Sequence, residues 1–201
     1  MNYDKELIAR KMLRWENFLT AYQLPKWEDL PDFGLYMDQV ITLLSQHLYY
    51  LPQEDHSEEL VTPTAINNYV RLKIMPAPEK KRYRRIHLAY LFMICTLKQT
   101  ITIAQVQKII PVGIEEEEIK QLYSNYVARH IEVGQRFIEN IHHCAEPMLD
   151  PNNTMENATV ENMIAGMVMM SGYYRLLAEK IIGLKGYAAA EVIDGQPLPQ
   201  K

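Results

Sequence analysis

The reading of this chain turns on Val61–Ile110, VTPTAINNYVRLKIMPAPEKKRYRRIHLAYLFMICTLKQTITIAQVQKII. Thr62 followed by Pro63 is a helix start. A threonine hydroxyl can accept from a free first-turn amide, and proline at the first helical position lacks only an N–H that would have no partner there. The helix is predicted to run to about Leu72, with Ile66, Tyr69 and Val70 inward and Asn67, Asn68 and Arg71 outward. Pro76 and Pro78 cannot continue it. The alternation through Lys81, Arg82 and Tyr83 predicts a short β-hairpin with basic residues at its tip, a wing. A helix over His87–Gln99 follows, with Leu88, Leu91, Phe92 and Cys95 inward. Thr102 then caps a shorter helix carrying Ile103, Val106, Ile109 and Ile110, which Pro111 and Gly113 end.

Charge is concentrated in the same stretch. Between Thr62 and Lys98 there are eight basic residues (Arg71, Lys73, Lys80, Lys81, Arg82, Arg84, Arg85, Lys98) against one acid, Glu79, in a 201-residue chain whose net charge is −4. The segment is therefore near +7 and the remainder near −11. Clustered Lys and Arg create a local positive potential whatever the total, which points to a polyanionic partner.

Outward from this centre, Leu7, Ile8, Met12, Trp15, Phe18, Leu19 and Tyr22 make a helical stripe over Lys5–Tyr22, and Pro25 and Pro31 bracket a connection that tucks in Trp27. A second stripe over Leu35–Tyr50 carries Tyr36, Val40, Leu43, Leu44, His47 and Leu48; the acidic stretch Leu51–Leu60 reads as an exposed loop. Downstream, Glu115–His142 is one long amphipathic pattern, its Glu115–Glu118 run suiting a helix N-terminus. Pro147–Asn153 reads as a turn, and Thr159 caps a last helix to about Leu184 that is apolar nearly all round. The tail from Ala188 is expected to be disordered. No run approaches the roughly 20 apolar residues of a membrane span. The start, MNYDKELIARK, lacks an apolar leader core, and Cys95 and Cys144 are far apart without CxxC spacing, so a cytoplasmic protein without disulfides is expected.

The central stretch resembles the winged-helix DNA-binding domain of the MerR family of bacterial regulators. Ile66-Asn67-Asn68-Tyr69 stands where that family has Leu-Arg-Tyr-Tyr, and Ile74-Met75 stands for the Leu-Leu of its Gly-Leu-Leu, with Lys73 in place of the glycine. Pro76 and Pro78 open the wing and Arg82-Tyr83 closes it; Leu88, Leu91, Ile94 and Leu97, then Ile103, Val106 and Ile109, match the two following helices. The loop Leu51–Val61 is longer than the family's turn. LYMDQV at Leu35, INNY at Ile66 and PEKKRY at Pro78 are also similar to an uncharacterised family of Gram-positive bacteria. The resemblance implies a DNA-binding homodimer joined by the long helix after the domain.

The expectation is thus an all-α protein. A packing helix and linker (1–34) precede a MerR-like winged helix-turn-helix with a small β-hairpin wing (35–112). A C-terminal long-helix hairpin for dimerisation or an effector (113–187) and the tail 188–201 follow. Double-stranded DNA is the expected partner. Thr64, Asn67, Asn68 and Arg71 on the Pro63–Leu72 helix are candidates to meet the major groove, where asparagine pairs with adenine and arginine with guanine. Lys80, Lys81, Arg82, Arg84 and Arg85 are candidates for phosphate contact, and Lys73 is a further DNA-binding candidate; the bland alternative is a solvated basic face. Tyr69 is core or a phosphate contact. Met163, Met167, Met170 and Tyr174 line an unknown small-molecule effector pocket or else a plain core or dimer seam. His142, His143 and Cys144 lack a fourth ligand at recognisable spacing, so no metal or other cofactor is expected, and no catalytic constellation points to an enzyme. The alternatives are a winged-helix adaptor for an acidic protein and a helical small-ligand binder.

Overall fold

The computed structural model describes residues 3–51, 61–149 and 160–187. They form seven α-helices: α1 (Lys5–Ala21), α2 (Met37–Leu48), α3 (Pro63–Arg71), α4 (Arg85–Leu97), α5 (Ile103–Ile109), α6 (Glu116–Leu149) and α7 (Val160–Gly183). One 3₁₀ turn, Trp27–Asp29, lies between α1 and α2. The expected disordered tail, the Leu51–Leu60 loop beyond Leu51 and the Thr159 cap lie outside the described residues.

Local chemistry starts several helices where the sequence places them. Thr62 Oγ1 accepts from the Ala65 amide at 3.2 Å. Thr102 and Gln105 form a reciprocal capping box, the Gln105 amide donating to Thr102 Oγ1 (3.3 Å) and the Thr102 amide to Gln105 Oε1 (2.8 Å). Asp4 caps α1 by accepting from the Leu7 amide at 3.1 Å. The expected turn at Pro147–Asn153 begins later than the sequence implies, because α6 continues through Pro147 to Leu149. A proline removes a single ladder hydrogen bond, which a helix of 34 residues survives.

Helix α4 is the axis of the core. Every residue from His87 to Cys95 is buried. Around it pack α2 through Val40, Leu44 and Leu48, α3 through Ile66 and Tyr69, and α6 through Ile119, Tyr123 and Val127, in one cluster that also takes in Trp27 and Leu30. Tyr123 Oη donates to the Pro25 carbonyl at 2.8 Å, so the segment before α2 is stitched into the same core. Helix α1 lies along α6. Tyr22, Tyr50 and His130 meet there, with Tyr50 Oη 3.2 Å from His130 Nε2 and His142 Nε2 2.9 Å from Glu16 Oε1.

The wing differs from expectation. Among the described residues no strand forms, and the segment 76–85 makes two isolated antiparallel bridges, Glu79 with Arg82 and Leu35 with Tyr83. The cause lies in its first arm. Pro76 and Pro78 have no N–H to give a ladder, and the Ala77 carbonyl lies 3.2 Å from Nε2 of His87. What remains is a two-residue turn, tied to the backbone of Leu35 by the Leu35–Tyr83 amide and carbonyl pair at 2.8 and 2.9 Å. Tyr36 also departs from expectation: it is exposed, and Ile41 turns inward.

Candidate nucleic-acid interface

Helix α3 buries Ile66 and Tyr69 and turns Thr64, Asn67 and Arg71 to solvent, with Asn68 half-buried. Arg71 Nη2 donates to Asn68 Oδ1 at 2.7 Å. The oxygen of Asn68 is thus occupied, although arginine keeps other donors. Asn67 is the asparagine free to offer both its carbonyl and its amide, the pair that adenine recognition needs.

The end of α3 is a Schellman motif. The Ile74 amide donates to the Tyr69 carbonyl at 3.0 Å and the Lys73 amide to that of Val70 at 3.0 Å. Lys73 has φ 54°, the left-handed position that glycine usually fills. Lys80 (φ 47°) and Lys81 (φ 61°) are left-handed too, as the two central residues of a turn closed by the Arg82 amide on the Glu79 carbonyl at 2.8 Å. Positive φ at both centres is the requirement of a type I′ turn, which Asn-Gly meets with least strain. Among the described residues the non-glycine positions at positive φ are these three lysines, all exposed.

The arginines are more tightly held. Arg82 lies over the Tyr36 ring, 3.7 Å from its centroid, and donates to Tyr36 Oη (2.6 Å) and the Gly34 carbonyl (3.1 Å). A Cβ on Gly34 would stand 2.8 Å from that of Arg82, so this close approach requires glycine. Arg85 Nε donates to the Leu30 carbonyl at 2.9 Å, and its guanidinium lies 5.8 Å from the Trp27 ring. Arg84 pairs with Glu79 at 3.1 Å across solvent, a pair worth at most about 1 kcal/mol. Of the basic residues from 73 to 85, Lys73, Lys80 and Lys81 therefore carry charge that no side chain among the described residues engages, and Arg84 is held weakly. Arg82 and Arg85 anchor the turn and the start of α4.

The site rests on His87. Its Nδ1 accepts from the Arg84 amide at 3.0 Å, and its Nε2 donates to the Ala77 carbonyl. Burial lowers its pKa below the ordinary 6.5, so the neutral ring joins both ends of the turn to α4. Beside the turn, a cleft of about 410 Å³ is lined by Phe33, Gly34, Glu79, Lys80, Arg82 and Arg84. Sequence reading missed the Gly34–Tyr36–Arg82 latch, which joins residues 46 to 48 positions apart. A glycine next to the aromatic Phe33 was the one available signal.

Of the effector candidates, Met167, Met170 and Tyr174 are exposed on α7 and Met163 is half-buried. No helix among the described residues is long and apolar enough to cross a membrane. Nothing among curated proteins or solved structures matches the chain significantly. Residues 25–126, from just before the Trp27 turn to the first third of α6 and just over half of the chain, match the family described as Domain of unknown function (DUF1836), and the chain belongs to that family.

Proposed function

We propose that this chain is a MerR-like DNA-binding transcriptional regulator that reads double-stranded DNA as a homodimer. In this reading α3 enters the major groove, with Asn67 and Arg71 on base edges, Asn68 orienting Arg71, and Thr64 at the first turn. Lys73, Lys80 and Lys81 meet phosphates, and Arg84 exchanges Glu79 for a phosphate. The observation that carries the reading is the set of left-handed lysines. A non-glycine residue in that region costs on the order of 1 kcal/mol, and lysine brings no packing at an exposed turn that would offset it. Positive charge presented from rigid backbone is what lysine adds there.

The test is fluorescence anisotropy of the full chain on DNA from upstream of its own gene and on scrambled DNA, across a salt series. Sequence-preferring binding that weakens steeply with salt is expected. The charge reversal Lys80→Glu with Lys81→Glu should lower the slope of log K against log salt by about 2 per protomer, since each phosphate contact contributes about 0.9. Equal weak binding to both DNAs, or none, overturns the reading and turns the basic turn toward an acidic protein surface.

A further inference from the structure

The cleft beside the turn has two walls that come from distant parts of the chain, Phe33 and Gly34 on one side and Glu79, Lys80, Arg82 and Arg84 on the other. Both walls are fixed. The backbones of Leu35 and Tyr83 exchange hydrogen bonds at 2.8 and 2.9 Å, and Arg82 donates to the Gly34 carbonyl at 3.1 Å. A cleft held in this way needs little ordering when a ligand arrives. Phe33 is 65% exposed although Leu30 and Leu35 on either side of it are at 2% and 6%, so its ring borders the cleft and not the core.

We propose that this cleft binds a free nucleoside monophosphate, its phosphate on Lys80 and Arg84 and its base against Phe33. Charge is the first argument. Three cations and one acid line the cleft, a net of +2, because the Gly34 carbonyl and the Tyr36 ring that hold Arg82 do not cancel its charge. A phosphate monoester carries about −1.5 to −2 at neutral pH and matches that total, whereas a carboxylate or a phosphodiester of a DNA strand brings a single charge. Exchange is the second argument. Glu79 and Arg84 pair at 3.1 Å with side chains 71% and 61% exposed, a weak pair, so a phosphate can take the Arg84 fork from Glu79 and bind it through two parallel N–H donors. The third argument is the ring. A cleft of about 410 Å³ is within the roughly 300 to 1,000 Å³ of small-molecule sites, and an exposed phenyl face at its edge accepts any base by stacking. The site therefore sets the class of ligand and not the base.

The inference stands apart from the DNA reading and is tested without DNA. Isothermal titration of the full chain with AMP should show binding, while adenosine, which lacks the phosphate, and ribose 5-phosphate, which lacks the base, should each bind on the order of 10-fold more weakly or not at all. Phe33→Ala and Lys80→Gly should each weaken AMP binding by about 10-fold. Both variants keep the fold, since Phe33 is exposed and glycine suits the left-handed position of Lys80. Lys73→Gly removes the same charge at another left-handed position, outside the cleft, and should leave AMP binding unchanged. Glu79→Gln should strengthen it several-fold by freeing Arg84, a gain that loss of structure cannot produce. No binding at AMP concentrations on the order of 1 mM, equal affinity for AMP and adenosine, equal losses in Lys80→Gly and Lys73→Gly, or an unchanged affinity in Phe33→Ala would each overturn the nucleotide cleft.

Discussion

Helices α4 and α7 are close in composition and opposite in situation. Each is apolar nearly all round. Yet α4 is buried from His87 to Cys95 by other helices of its own chain, while α7 stays open over most of its length. Hydrophobicity states that a helix must be covered and leaves open by what. The difference lies in connection: α4 sits between the turn and α5 inside the family segment 25–126, whereas α7 follows the far end of α6, outside it.

The largest expected effect separates these two helices. Phe92→Ala in α4 removes a fully buried ring and should cost about 3 to 5 kcal/mol in urea denaturation. Leu177→Ala on α7, at 56% exposure, should move the same midpoint by less than about 0.5 kcal/mol. Equal losses would mean that α7 is covered by its own chain and would erase the contrast.

A smaller effect, of opposite sign, belongs to the turn region. Lys73→Gly places the usual residue in the left-handed Schellman position and should stabilise the fold by about 1 kcal/mol, read as a higher urea midpoint, while DNA affinity falls. A gain in stability without a loss of affinity would mean that Lys73 is strained for no use in binding.

What the sequence disclosed follows the range of the interactions concerned. The caps at Thr62 and Thr102 act over three residues and were legible, as were the inward faces of α3 and α4, which follow from periodicity. Half of the hairpin's failure stands in the sequence, since Pro76 and Pro78 cannot donate to a ladder, but His87 engaging the Ala77 carbonyl from across the turn does not. The left-handed lysines were invisible because lysine is not a residue from which positive φ is inferred. Of the candidate site, the exposure of Asn67, Lys80 and Lys81 could be read from the pattern. The engagement of Arg82 by Tyr36 and of Arg85 by the Leu30 carbonyl could not, because each partner comes from a different segment folded alongside.

The smallest effect tests whether His87 links the turn to α4 as a neutral ring. Its folded pKa lies below the ordinary 6.5 because burial disfavours the charged form, so the unfolded chain takes up the proton first as pH falls. The stability the neutral ring contributes is therefore fully present above about pH 6.5 and is lost as pH drops through that value toward the folded pKa. Protonation also ends acceptance at Nδ1, releasing the Arg84 amide. The urea midpoint should fall between pH 7.5 and 5, and His87→Gln should make that fall shallower. The slope that remains belongs to His47 and His130, whose pKa values burial also lowers. An unchanged slope in His87→Gln would assign the acid sensitivity to the α1–α2–α6 junction, and the turn would then owe its place to Arg82 and Tyr36 alone.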